Sequence, residues 1–188
     1  SPCAIYTGTL GRANNPGFLA EVCQELLRKG RPDVTVTIMG DGSEKKWLLN
    51  MKEERSLTNL KIQEPVPQAE LKKYYSQAFA GLLVMQDIKV LRHSTSPNKF
   101  FDYLAADLPI VCTYDGWMAK LIKEYKCGLV IGNQDAEDFA NALINLFDNE
   151  HERKKMSENA RVLLDEQFDI KIIQQNFVTV VNQYEGIT

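Results

Sequence analysis

The run Ala80-Gly-Leu-Leu-Val-Met85 contains no polar side chain. A strand with one wet face alternates apolar and polar residues, so an unbroken apolar run marks a strand covered on both faces, as in the middle of a parallel sheet. Its flanks carry the other half of the pattern. Upstream, after the turn Pro65-Val-Pro67, Glu70 to Ala78 places Leu71, Tyr74 and Tyr75 at helical spacing. Downstream, a polar loop from Gln86 to Pro97 leads into an amphipathic helix from Asn98 to Ala106.

The same alternation extends to both ends of the chain. Toward the N-terminus, Leu60-Lys-Ile-Gln63 and Val34-Thr-Val-Thr-Ile-Met39 read as strands, the latter stopped by Gly40-Asp-Gly42, with Ser43 and Glu44 placed to cap a helix to about Glu54. Cys3-Ala-Ile-Tyr-Thr7 is a further strand, followed by a helical stripe of Phe18, Leu19, Val22, Cys23, Leu26 and Leu27, with Pro16 suited to its first turn. Toward the C-terminus, strands over Pro109 to Thr113 and Gly128 to Ile131 alternate with helices over Met118 to Tyr125 and Ala136 to Phe147. From about Glu150 to Tyr184 two more helices follow, split near Phe168-Asp169. Strands alternating with helices through short connections predict an α/β, Rossmann-like, doubly wound parallel sheet of about six strands, with helices on both faces and C-terminal helices added. Residues 1–188 read as a single domain.

Composition excludes several function classes. A net charge of −3 supplies no cationic field for nucleic acid or anionic lipid, so any anion site must be local. The longest apolar runs are far shorter than a bilayer span, which predicts no direct membrane insertion by this domain. Cys3, Cys23, Cys112 and Cys127 form no CxxC pair and sit in apolar segments, as expected of buried thiols in a reducing, cytoplasmic compartment. No HxH, HExxH or DxD pattern appears, so no metal is expected, and the absence of GxSxG removes the serine-hydrolase reading.

Ligands of such sheets bind outside the carboxyl ends of the strands. Three loops lie there. Gly8-Thr-Leu-Gly-Arg-Ala-Asn-Asn-Pro-Gly17 joins glycines, Arg12 and a helix N-terminus, which fits a phosphate and equally fits a glycine turn with a solvated arginine. Gly40-Asp-Gly42 is explained by turn chemistry, although it lies at the same edge. The third loop, Lys89 to Asp102, brings Lys89, Arg92 and His93 through Ser96 and Asn98 to Lys99 and Asp102. Hydroxyl, amide and basic side chains at a helix start suit a diphosphate, and a carboxylate one turn inside can accept from two vicinal ribose hydroxyls. A capped helix with a solvated Asp102 is the structural alternative.

From this loop onward the sequence resembles a known family. Ser96-Pro-Asn-Lys-Phe-Phe-Asp-Tyr-Leu-Ala-Ala-Asp-Leu-Pro-Ile-Val111 is similar to the donor-site helix of the retaining family 4 glycosyltransferases, which have the two-domain GT-B fold. It resembles most the bacterial branch that adds N-acetylated amino sugars in surface polysaccharide synthesis, of lipopolysaccharide or capsule. Gly8 to Asn14, Ile38 to Gly42, Val66-Pro-Gln-Ala-Glu-Leu71, Cys127 to Val130 and Asp135 to Ala142 agree in order and spacing.

The resemblance implies a hexosyl or N-acetylhexosaminyl transferase that binds a nucleotide-diphospho-sugar, UDP-linked, for retaining transfer to a saccharide or lipid-linked acceptor, with no cofactor or metal. Asp102 falls on the family's ribose-binding glutamate, one methylene shorter. Ser94 falls on its sugar-binding glutamate, which makes His93, Ser94 and Thr95 the sugar-proximal residues. Thr9 and Asn14 stand where the family places an arginine and a lysine. The implied diphosphate set is therefore Arg12, Asn14, Ser96, Asn98 and Lys99, with the base near Gly40, Val66 and Pro67. An N-terminal acceptor-binding domain does not fit beside these elements, so the chain reads as a C-terminal donor half that transfers nothing alone, held at the inner face of the membrane through the missing half. Two alternatives stand: a non-catalytic nucleotide-binding or regulatory module, and a UDP-amino-sugar epimerase-like domain, for which only His93 is available as a proton carrier in the third loop.

Overall fold

The computed structural model describes residues 2–86, 97–132, 134–170 and 174. Among these, six strands pair in parallel in the order β3-β2-β1-β4-β5-β6: β1 (Cys3–Thr7), β2 (Thr35–Met39), β3 (Leu60–Gln63), β4 (Ala78–Leu83), β5 (Ile110–Cys112) and β6 (Gly128–Val130). The helices are α1 (Pro16–Arg28), α2 (Lys45–Glu54), α3 (Gln68–Tyr75), α4 (Asn98–Ala105), α5 (Trp117–Tyr125), α6 (Ala136–Asp148) and α7 (Glu150–Gln167). The expected doubly wound sheet is the observed one. Its strand order reverses between β1 and β4, which places a crevice at their carboxyl ends.

Alternation along the strands sorts the core into two layers. Ala4, Tyr6, Leu82, Val84 and Val111 pack with α1, α2 and α6, whereas Ile5, Leu83, Ile110 and Cys112 pack with α3, α4 and α5. Helix α7 crosses from one layer to the other, with Met156 in the first and Ala160 and Leu163 in the second. Cys23, Cys112 and Cys127 are buried free thiols, and Cys3 is half-buried. No helix among the described residues is long and apolar enough to cross a membrane.

Several boundaries differ from the sequence reading. Strand β4 begins at Ala78 and α3 ends at Tyr75, because Cys3 N–H bonds to Gln77 O and draws the chain into the sheet early. Val84 and Met85 stay buried beyond the β4 ladder, where Met85 N–H donates to Thr113 Oγ1 at 3.2 Å. Neither Ser43 nor Glu44 caps α2 through its side chain; Glu44 N–H instead donates to Leu10 O at 2.9 Å, so the β1 loop closes that helix end. Of the two expected C-terminal helices, the first is α7, and the second lies, past 170, outside the described residues apart from 174.

Gly81 in β4 has an ordinary φ, yet a Cβ built there would lie 2.4 Å from Tyr103 Cγ. A glycine-to-alanine change at an ordinary φ stabilises through the unfolded chain. Here the ring decides the sign. Gly81→Ala is expected to lower the unfolding free energy by about 1–3 kcal/mol in urea denaturation.

Candidate functional site

The β1–β4 ladder runs Ala4↔Ala80 and Ile5↔Gly81, and the next rung of a parallel pair would join Thr7 N–H to Leu82 O. That rung is absent. The Tyr103 hydroxyl sits in its place, accepting from Thr7 N–H at 3.1 Å and lying 3.2 Å from Ile5 O and 3.4 Å from Leu82 O. Thr7 Oγ1 is in turn 3.0 Å from the Tyr75 hydroxyl. The strands part here, and Gly8 follows directly.

The loop after β1 is bound along the loop after β2. Gly8 N–H donates to Met39 O, Leu10 N–H to Asp41 O at 2.8 Å, and a Cβ on Gly40 would meet Gly8 O at 1.9 Å. Only a glycine permits that approach. Two cavities open above these loops, one of 340 Å³ against Gly40, Pro65 and Val66 and one of 310 Å³ against Asn14, Pro97, Asn98, Lys99 and Asp102. Both are walled by Thr7, Gly8, Thr9 and Leu71, so they form the two ends of one trough.

Lys99 is the cation at one end among the described residues. Its side chain is 8% exposed, passes beneath Gly8, and sets Nζ 4.0 Å from the centroid of the Tyr6 ring. Burial pulls its pKa from 10.5 down to about 7. No charge partner among the described residues opposes that shift. Among the described residues a π face is what holds the amine in its protonated form, an arrangement that favours a ligand bringing negative charge. Lys99 is the second residue of α4, whose N-cap, Pro97, has no side chain that can accept from the first-turn N–H groups. Backbone dipoles and the buried amine thus act on the same end of the trough.

Asp102, one turn on, is half-buried, with its pKa raised by desolvation and restrained by Gln68, whose Nε2 lies 3.5 Å from Oδ1. Such a carboxylate keeps free acceptor capacity on both oxygens.

Of the residues singled out in the sequence, Asn14, Asn98, Lys99, Asp102, Gly40 and Val66 line the trough. Asn14 also ties the β1 loop, donating to Thr9 O at 2.9 Å. Arg12 does not reach the trough. It opens a 3-10 turn that directs it over α2, where its Nε lies 3.7 Å from Glu44 Oε1 with 89% of the side chain exposed. Pro67 forms the N-cap of α3, and Pro65 takes its place at the cavity wall. His93, Ser94, Thr95 and Ser96, with Lys89 and Arg92, lie outside the described residues. Sequence reasoning missed Gln68, Leu71, Tyr6, Tyr75 and Tyr103, whose aromatic and apolar members read as ordinary core. Tyr103 directly follows Asp102, and that adjacency was the available signal.

Residues 1–163 match the family described as glycosyl transferases group 1. Among curated relatives, the chain is 26% identical over 168 residues to a D-inositol 3-phosphate glycosyltransferase of Corynebacterium urealyticum, covering 82% of this chain and 37% of that protein. Among solved structures it is similar to a substituted TarM of S. aureus in complex with fondaparinux, alpha-GlcNAc-glycerol and UDP, with a TM-score of 0.78 and 17% identity over 95% of this chain and 35% of that one. It is also similar to the C-terminal domain of a glycosyl transferase group 1 family protein (LpcC) from Francisella tularensis, with a TM-score of 0.73 and 16% identity over 90% of this chain and 87% of that one. The chain thus spans little more than a third of the first two relatives and most of the third.

The buried amine has a stability signature. Between about pH 7 and pH 10.5 the unfolded chain holds a proton on Lys99 that the folded chain has released, so stability rises as pH is raised through that window. Lys99→Met is expected to remove this rise and, at pH 6, to stabilise the fold by an amount on the order of 4 kcal/mol. Chemical denaturation from pH 6 to pH 10 measures both effects.

Proposed function

The chain belongs to the glycosyl transferases group 1 family, and from that premise we propose that it is the donor-binding domain of a retaining family 4 glycosyltransferase. It takes a UDP-linked sugar, an N-acetylated amino sugar, with the base at the Gly40–Val66 end of the trough, the ribose hydroxyls on Asp102 and the diphosphate at Lys99, Asn98 and the α4 N-terminus. The observation that carries this reading is the buried Lys99 amine, which faces a trough and has no carboxylate acting on it among the described residues. TarM, similar in fold, was solved with UDP and a GlcNAc glycoside, which supports the choice of nucleotide and sugar.

In the transfer, the bond from the anomeric carbon to the diphosphate breaks and negative charge grows on the departing oxygen. A cation and helix N–H groups already in place stabilise that charge without rearranging, and we assign them this role with no bound metal. The acceptor, a saccharide or lipid-linked saccharide of surface polysaccharide synthesis, is taken by a further N-terminal domain that faces this trough in the cytoplasm at the membrane's inner face. The chain by itself is expected to bind donor and to transfer nothing.

Calorimetry on the chain with UDP, UMP, GDP and ADP tests the reading. UDP is expected to bind best. Lys99→Met and Asp102→Ala are each expected to weaken it by roughly ten- to a hundredfold, the loss of a charge-assisted hydrogen bond. Because the diphosphate favours the ammonium form of Lys99, binding at pH 8 takes up a proton, seen as a binding heat that varies with buffer, and affinity falls as pH rises above about 7. Folded chain that binds no nucleoside diphosphate overturns the reading, and preference for GDP or ADP overturns the base.

A further inference from the structure

The two walls at the Lys99 end of the trough come from distant parts of the chain. One is Thr7-Gly8-Thr9 at the end of β1, and the other is the first turns of α4 with Asn98, Lys99 and Asp102. A diphosphate gripped between them needs their separation held to within tenths of an ångström. No sheet rung supplies that restraint, because the β1–β4 ladder has ended by Ile5 and Gly81.

Thr7 is instead held by two phenols. Tyr103, on α4, accepts from Thr7 N–H at 3.1 Å and stands 3.4 Å from its Oγ1; Tyr75, on α3, stands 3.0 Å from the same Oγ1. The two rings meet edge to face at 5.6 Å, and Tyr103 is fully buried against Gly81. Neither tyrosine lines the trough, yet each sits on a helix that does, since α3 supplies Leu71 and α4 supplies Asn98, Lys99 and Asp102. Thr7 is the residue before Gly8, so its amide sets where the glycine backbone meets the ligand.

We infer that Tyr103, seconded by Tyr75, is a positioning residue for the donor diphosphate: the two hydroxyls lock Thr7 to α4 and α3 and so fix the gap between the Gly8 loop and Lys99. This rests on the donor reading above. Both side chains act through Thr7; Tyr103 lines no cavity among the described residues, and Tyr75 faces a neighbouring one beside Gln68, Leu71 and Asp102 rather than the Lys99 end. Removing the Tyr103 hydroxyl leaves Thr7 N–H without that partner in a buried site and loosens α4 against the β1 end, which itself stays paired with β2 through Thr7↔Met39 and Gly8 N–H to Met39 O. The loss falls on the phosphates and spares the base, which sits at the far end against Val66 and Gly40.

The test compares wild type, Tyr103→Phe and Tyr75→Phe, each titrated with UDP and UMP well below its own melting temperature. Tyr103→Phe is expected to weaken UDP about tenfold while UMP changes by no more than about twofold, so that the preference for the second phosphate collapses. Tyr75→Phe is expected to shift the same ratio in the same direction by a smaller factor, and it decides the matter alone if Tyr103→Phe does not fold. UDP affinity unchanged in the folded variants, however far their melting temperatures drop, overturns the inference and leaves the donor reading intact. A parallel loss of UDP and UMP overturns it equally, since that marks general loosening. Wild type that binds neither nucleotide overturns the donor reading, and this inference with it.

Discussion

A parallel sheet whose strand order reverses has to separate two neighbouring strands at their carboxyl ends without leaving their backbone groups unpaired. Here that constraint is met by one phenol. The Tyr103 hydroxyl stands in the missing rung between Thr7 and Leu82, and its ring fills the space that Gly81 leaves empty. The crevice opens because the rung is gone and stays ordered because the hydroxyl replaces it. Since Tyr103 belongs to α4, the same contact sets the helix that carries Lys99 and Asp102 against the strand that leads to Gly8.

The second consequence is electrostatic. With α4 in this position, Lys99 extends under Gly8 and over the Tyr6 ring, away from water and, among the described residues, from any carboxylate acting on it. A buried, unpaired amine costs stability. A ligand that brings negative charge would relieve that cost. A paired arginine elsewhere contributes little of this kind: Arg31, half-buried and forked between Asp33 and Asp148, ties the start of β2 to α6 at the opposite edge of the sheet.

Much of this was legible in the chain because the fold is written in short-range patterns. The apolar run through Leu82 and Leu83, the stripe from Phe18 to Leu26 and Pro16 at a helix start depend only on residues near one another, and all three appear as read. Helix ends were less legible. Ser43 and Glu44 have the chemistry of a cap, but the β1 loop reaches α2 first and provides a backbone carbonyl. The charges divided in the same way: Arg12 and Lys99 were both assigned to the diphosphate, and the 3-10 turn at Arg12 sends one to solvent while α4 buries the other.

Periodicity and glycine placement were enough to give the alternation of strands and helices, the carboxyl edge as the place to look for cavities, and Asp102 and Lys99 as members of one helix turn. They could not rank the cations, find the hydroxyls of Tyr75 and Tyr103, or show that Gly8 and Gly40 touch. Those facts belong to contacts between segments far apart in the chain: Thr7 with Tyr103, Gly8 with Lys99, and Gly8 with Gly40. A local pattern records which face of an element is dry, whereas which polar atom meets which, and how much water remains beside a charge, arises only when the elements pack.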